Sequence, residues 1–397
     1  MSRLIRYAAR RTGAPVWVEE PFRVFFPLGV GAAIFGLLLW PMFYAGWWPI
    51  HPAVQHPRIL IFGFGAAFVF GFLGTAWPRF LEAEAMRSGE LAGLVVLWLF
   101  GQLAYGRGAI AGGDLFAGAS CLWMLLILGR RLAGKDREWP PPGFAVAFLA
   151  VVFAAAALFS WGFGWGEASP ALEHWRRLVA YQAFLLLPLL GVGSYLFSRF
   201  FPTPGAPPKS VSGRRRAAAV WACAALIVVS FALEVHASVR WGNVVRLLAI
   251  AVWAFGAVPR VVFGKAPGTR PWALRLGLAL VAASFACRAL WPGQLLAFQH
   301  LLFLGGFTQT MLLVADRVIL GHCAPPGTAK PRSLLWRWIV WLMLLTAATR
   351  ASADLVPSTR VSHHVYAALL LIVVLLIWWI EHGRRLRSVP EKEGNAP

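Results

Sequence analysis

The stretch HPRILIFGFGAAFVFGFLGTAWPRF, residues 56–80, decides the fold class. Nearly all of it is apolar, and it exceeds the roughly 20 residues that a helix needs to cross a bilayer. It nevertheless begins with His56 and Arg58, and it carries glycine or alanine at near-regular steps. An ionisable group in a membrane helix is costly, and it is therefore a candidate functional group. The stretch predicts a transmembrane helix with a functional histidine close to one end.

The composition extends this prediction to the whole chain. Of its 397 residues, 59% are hydrophobic and 13% are charged, whereas about a quarter of the residues of a soluble domain are charged. The 21 Trp and 29 Phe residues often lie near the ends of apolar stretches, as in an interfacial aromatic belt. The sequence therefore predicts an all-α polytopic membrane protein whose surroundings are a lipid bilayer.

About twelve transmembrane helices in one bundle are expected, because that many apolar stretches approach the length of about 20 residues that spans a membrane. The expected spans are about 25–46, 53–77, 91–106, 110–129, 143–161, 178–198, 217–235, 243–262, 273–290, 293–315, 333–350 and 361–381. Three parts follow: a basic cytoplasmic N-terminal arm over 1–24, a transmembrane domain over 25–381, and a cytoplasmic C-terminal tail over 382–397, which includes His382.

The net charge of +21 is best explained by membrane topology and not by binding to nucleic acid. If both termini are cytoplasmic, most of the 37 Lys and Arg residues fall on the cytoplasmic side, as the positive-inside rule requires. This bias predicts a multi-pass membrane protein with both termini in the cytoplasm.

Several function classes lack sequence support. The four cysteines are far apart, at positions 121, 223, 287 and 323, which argues against a disulfide framework and covalent haem attachment. Motifs typical of ATP hydrolysis, serine hydrolysis and zinc proteolysis are missing from the sequence.

Histidines concentrate on the predicted outer half of the bundle. The expected outer set is His51, His56, His174, His236, His300, His363 and His364. Neutral imidazole is a common metal ligand. On a regular helical wheel His56 shares a face with Gly63, Ala67 and Gly71. This flat face suits either a close helix contact or a planar macrocycle.

His300 is the natural partner for His56, because both lie at similar depth on predicted helices 10 and 2. Two facing imidazoles would make a six-coordinate haem b, whereas the alternative is two ordinary interfacial histidines. Arg58 and Arg288 lie at outer helix ends and would either hold haem propionates or extend to lipid phosphate. His363 and His364 are candidates for a copper site or a second haem, with interfacial roles as the alternative.

Three segments resemble the NnrS family of membrane proteins: EEPFRVFF at 19–26, the His56 segment, and HLLFLGGFTQTMLLVADRVILGHC at 300–323. The resemblance implies bound haem and copper and a role in nitric oxide response and denitrification. The layout is also similar to the main subunit of haem-copper oxidases, which carries haem ligands on its second and tenth helices and so points to His56 and His300. The family commonly has an H-x-H-E motif here, and this sequence has Arg58 and Ile59 in place of its second histidine and its glutamate.

The leading interpretation is thus an NnrS-like membrane haem b protein with axial ligands His56 and His300, either with or without copper. Its small-molecule partner would be nitric oxide or an NO-linked metal species. The alternative is a haem-free transporter for a small solute, since helices rich in glycine and proline with few buried polar groups also suit that role.

Overall fold

The structure is a computed structural model. It describes residues 15–133, 140–166, 168–201, 213–265, 267–325, 328 and 332–388. Most of the predicted N-terminal arm, residues 1–14, and the end of the predicted tail, residues 389–397, lie outside this range.

Within the described residues, twelve helices are long and apolar enough to cross a membrane. In chain order they are α1 Phe22–Tyr44, α2 Gln55–Phe80, α3 Ser88–Gly106, α4 Ile110–Arg130, α5 Pro142–Gly162, α6 Pro170–Phe200, α7 Arg214–His236, α8 Val239–Gly256, α9 Thr269–Leu290, α10 Pro292–Cys323, α11 Leu334–Leu355 and α12 Pro357–Arg387. Helices are the favoured spanning element because they satisfy their own backbone groups in lipid. The predicted all-α polytopic fold is confirmed.

The two ends of the bundle domain differ from the expected boundaries. α1 begins at Phe22, which is fully buried, and a short helix over Val16–Glu19 packs before it. α12 continues to Arg387, so that His382, expected in a polar tail, is a fully buried helical residue. The predicted tail therefore begins with helix that belongs to the packed bundle.

Three helices form the interior of the bundle. In α2, α6 and α10 the buried share of the apolar window is 83%, 78% and 72%, against at most 56% in the other nine helices. Each inner helix is the second in a consecutive group of four. The rings of Phe62 in α2 and Phe184 in α6 are in tilted contact, 5.7 Å between centres, and a cavity of about 70 Å³ lies where α2, α6 and α10 meet. The chain thus has a threefold repeated layout.

Each inner helix also contains a π-helical segment: Ile59–Gly65 in α2, Leu178–Ala183 in α6 and Leu301–Thr308 in α10. The wider turn changes the angle between side chains before and after it, and π turns occur often at functional sites. His56, His174 and His300 each lie within four residues before such a segment. A regular wheel therefore misplaces His56 relative to the glycines that follow it.

Buried ion pairs join the helices at the end of the bundle that carries Glu20. The Glu20 carboxylate contacts Arg23, Arg79 and His322 at 2.7, 2.6 and 2.9 Å. Burial raises the pKa of Glu20, but the hydrogen bond and charge of His322 and the charge of Arg79 outweigh it and lower the pKa to about 2. This cluster ties α1, α2 and α10 together.

A second cluster at this end is built on the buried carboxylate of Asp316. It pairs with Arg270 of α9 at 2.6 Å and accepts a hydrogen bond from the Trp336 indole at 3.0 Å. His382 of α12 lies 3.2 Å from it. The cluster explains why His382 is inside the bundle and not in a solvated tail.

Candidate functional site

The opposite end of the bundle, called the His56 end below, gathers histidines from several helices around the Trp40 indole of α1. The ring centres of His51, His56 and His364 lie 5.5, 6.0 and 4.6 Å from that of Trp40. Three of the predicted outer histidines thus share one aromatic neighbour, which the sequence analysis had not identified.

The hydrogen bond of His56 fixes its tautomer. Its Nδ1 lies 2.9 Å from the carbonyl oxygen of Gly36 in α1. A carbonyl only accepts, so Nδ1 carries the proton, and the neutral ring keeps its lone pair on Nε2. An imidazole held in this way through Nδ1 is oriented to bind a metal through Nε2.

His300 has the same arrangement. Its Nδ1 lies 2.9 Å from the carbonyl oxygen of Leu296, one turn earlier in α10. Nδ1 is therefore the donor, and Nε2 carries the lone pair. Asp354 of α11 lies 3.9 Å from the same Nδ1 and is itself bound by Arg350 at 2.7 Å.

His363 and His364 point to different partners, as expected for adjacent residues on a helix. The Nδ1 of His363 is 2.7 Å from the hydroxyl of Ser352. The Nδ1 of His364 is 2.9 Å from the hydroxyl of Tyr44, and its Nε2 is buried without a hydrogen-bond partner. An orphaned buried nitrogen is unusual, and it makes His364 a further candidate ligand.

The predicted ligand pair lies at one end of the bundle. The rings of His56 and His364 both pack on Trp40, and His300 of α10 lies at the same end. Among the described residues, no group of three or more His, Cys, Asp or Glu side chains is arranged to hold a metal ion. The expected copper site stays a prediction.

Arg58 is held by a buried network and not by solvent or lipid. Its guanidinium makes two bonds to Asp114 of α4, at 2.8 and 3.0 Å. Tyr105 donates to the same carboxylate at 2.8 Å, and Arg58 donates to the hydroxyl of Tyr181 at 3.3 Å. The network fixes the start of α2, two residues after His56. It leaves Arg58 less suited to the predicted propionate role.

The predicted flat face of α2 packs against other helices. A Cβ added at Gly71 would lie 2.9 Å from the Cα of Phe22 in α1, and Ala67 is in close contact with Gly29 of α1. A Cβ at Gly63 would meet Gln102 of α3 and Ala32 of α1. Gly63, Ala67 and Gly71 therefore serve close helix packing in this structure, and α1 occupies the face proposed for a macrocycle.

Arg288 of α9 lies in a separate buried cluster with Glu234 of α7 and Arg246 of α8. Glu234 accepts from Arg246 at 2.5 Å and from Arg288 at a longer 3.5 Å. The Nε and one terminal nitrogen of Arg288 have no acceptor. Arg288 thus has N–H donors without an acceptor, whereas all three guanidinium nitrogens of Arg58 donate to Asp114 or Tyr181.

The family model described as NnrS protein matches residues 16–389 of this chain. The chain belongs to the NnrS family. The match covers nearly all the described residues, including the twelve spanning helices of a multi-pass membrane protein. A comparison with curated proteins gives no match to this chain.

Several parts of the site were missed by the sequence analysis. Trp40 and Asp114 are the main ones, since each contacts residues far away in the chain. The π segments were missed because their side chains are those of ordinary apolar helix. Asp114 could have been singled out as an acidic residue within a predicted membrane span.

Proposed function

We propose that this NnrS-family protein binds haem b through Nε2 of His56 and Nε2 of His300 at the His56 end of the bundle. Its role would be in the response to nitric oxide or nitrosative stress, or in denitrification, in the bacterial inner membrane. The observation that carries the proposal is the shared orientation of the two rings: each donates through Nδ1 to a backbone carbonyl. Each therefore offers its Nε2 lone pair.

The residues present fit such a group in three respects. Both imidazoles come from inner helices, each shortly before a π segment. The two rings lie at the same end of the bundle. The surroundings include the Trp40 ring and a third nitrogen without a partner, Nε2 of His364.

The chain's own residues would mainly hold and shield the ligands. Gly36 and Leu296 accept from the two Nδ1 atoms and keep the rings in one tautomer and one direction. The Arg58–Asp114 pair anchors the start of α2, and Trp40 covers one side of His56. Haem, when bound, would supply one-electron redox chemistry. Two axial histidines leave no open position, which favours electron transfer or sensing.

The other predicted ligands enter the proposal with narrower roles. His364 is the first alternative axial ligand, and His363 the second, because both lie on α12 at the same end. Copper bound by these two histidines stays a prediction. Gly63 supports the site indirectly by letting α1 approach α2 near Gly36, which accepts from His56, whereas Ala67 and Gly71 pack against Gly29 and Phe22 nearer the Glu20 end.

The experiment is a haem titration and spectrum of four purified full-length variants: His56→Ala, His300→Ala, the double variant and His364→Ala. Each single ligand change should lower the haem-to-protein ratio or convert low-spin haem to high-spin. The double change should remove haem almost completely. His236→Ala is the matched control, because His236 is exposed at the same end of the bundle.

His382 is unsuitable as a control because it is buried beside Asp316. If both His56→Ala and His300→Ala retain an unaltered low-spin spectrum, the assigned ligand pair is wrong. If His364→Ala loses haem while either His56→Ala or His300→Ala keeps an unaltered spectrum, His364 of α12 replaces the unaffected histidine as the ligand.

A further inference from the structure

The buried cluster of Glu234, Arg246 and Arg288 carries more positive than negative charge. Arg246 is fully buried, and Arg288 and Glu234 are 2% and 4% exposed. Two guanidinium groups, which stay charged in proteins, face one carboxylate. The neighbouring Asn243 and Ser230 are neutral. One positive charge is thus uncompensated in a setting where unpaired charge is very unfavourable.

The cluster also contains N–H donors without an acceptor, which agrees with its excess of positive charge. Arg246 has one terminal nitrogen without an acceptor, and Arg288 lacks acceptors for Nε and one terminal nitrogen. Buried donors normally have partners. The bond from Arg288 to Glu234 is also long, at 3.5 Å, so Glu234 does not fully engage it.

The cluster lies next to a part-exposed imidazole and close to a cavity at the His56 end. Glu234 also contacts Nε2 of His174 at 3.2 Å, and that imidazole is 39% exposed. A cavity of about 210 Å³ lies beside it, bordered by Trp175, Arg176 and Phe231. Phe231 in turn lies under the guanidinium of Arg246, 4.7 Å from it. The exposed imidazole touches Glu234, and the cavity is separated from Arg246 by the Phe231 side chain.

We propose that Arg246 and Arg288 form a binding site for one small monovalent anion, such as chloride, bromide or nitrate. The site has one excess charge, so a monovalent anion neutralises it. The Phe231 and Phe285 rings wall the site and disfavour a divalent anion such as sulfate, whose desolvation costs more. Glu234 limits affinity, because its carboxylate competes for the same donors. This inference is independent of haem binding.

The test is the thermal unfolding midpoint of the full-length protein in detergent, titrated with sodium chloride, bromide, nitrate or sulfate. Gluconate, a bulky anion, keeps the ionic strength constant. Chloride, bromide and nitrate should raise the midpoint saturably, as expected for a ligand that binds the folded state. Sulfate should act like gluconate. A midpoint that follows ionic strength alone, whichever anion is present, overturns the proposal.

Three variants and a control make the test specific. Arg288→Gln removes the excess charge and should abolish the anion dependence. Glu234→Gln adds to the excess charge and should lower the half-saturating concentration severalfold. Arg240→Gln changes an exposed arginine of α8 and should behave like the unaltered protein. An unchanged response in Arg288→Gln contradicts the proposed site.

If Arg288→Gln does not fold, the line width of chloride-35 resonance, measured with the unaltered protein, decides the question. The protein should broaden the chloride resonance, and added nitrate should narrow it again by displacing bound chloride. If the protein does not broaden the resonance, the site is ruled out. The titration is repeated on protein prepared with and without haem. An anion response confined to haem-free protein would assign the guanidinium groups to a cofactor carboxylate and overturn the free-anion proposal.

Discussion

Replacing Gly71 by alanine should weaken the contact between α1 and α2. The new Cβ would lie 2.9 Å from the Cα of Phe22 and 3.1 Å from the Cβ of Phe25. The first neighbour is backbone, which cannot rotate away, so the two helices must separate locally. Gly31 of α1 is the matched control, because an added Cβ there meets nothing within 4 Å.

The two substitutions are expected to differ in sign. Overpacking a well-packed interior costs about 1–3 kcal/mol, whereas alanine gains up to ~1 kcal/mol over glycine in a helix. Gly71→Ala should therefore lose up to about 2 kcal/mol net, and Gly31→Ala should be neutral or slightly stabilised.

The assay is unfolding in mixed micelles, in which the denaturing detergent fraction is raised while tryptophan fluorescence and circular dichroism are followed. Haem content of the folded fraction should stay the same in both variants, because α1 and not a macrocycle covers Gly71. Equal stability of the two variants would refute the packing argument. If Gly71→Ala loses haem but keeps its stability, the flat face of α2 would instead be part of the haem-binding site.

Three further predictions concern the ion pairs and the topology. Asp114→Asn should destabilise the protein by about 3–5 kcal/mol, since it leaves the Arg58 charge buried without its partner. The free energy of unfolding measures this, and a loss below about 1 kcal/mol would mean that the pair contributes little. The pKa of Glu20 is lowered from the ordinary value of 4.5 to about 2. The charged carboxylate therefore stabilises the folded state by about 3 kcal/mol at pH values above 4.5, and this stabilisation is lost as the pH falls toward 2. Glu20→Gln should remove that part of the acid dependence of the unfolding midpoint, and an unchanged profile would contradict the assigned charge contacts. Reporter fusions after Lys135 should be cytoplasmic and those after Pro170 periplasmic, because basic residues collect on the proposed cytoplasmic side; the opposite pattern would invert the bundle.

The sequence was sufficient to predict the helices because crossing a bilayer depends on length and apolarity, which are local properties. Burial within the bundle is not local. Nothing in the composition of α2, α6 and α10 alone shows that they form the interior, and their π segments consist of ordinary apolar residues. The wheel drawn from His56 to Gly71 failed at that point, because it assumed regular helix across Ile59–Gly65.

Ion pairs between distant helices were also beyond the sequence. The partner of Asp316 is Arg270, which lies 46 residues earlier in the chain. His382 looked like part of a polar tail and is buried, because Asp316 lies beside it. His56 and His300 were predicted on helices 2 and 10, and they lie on α2 and α10 at the same end of the bundle; their role as ligands stays a prediction. Their backbone acceptors, which determine the free nitrogen, required the structure.

The most direct test of the central claim is the absorption spectrum of the purified full-length protein, produced with added haem precursor and recorded oxidised and then reduced. Haem held by His56 and His300 predicts a sharp reduced-state band of low-spin haem b, released as noncovalent haem on acid extraction. A protein that folds in the membrane yet shows no such band would contradict the account and favour the haem-free transporter.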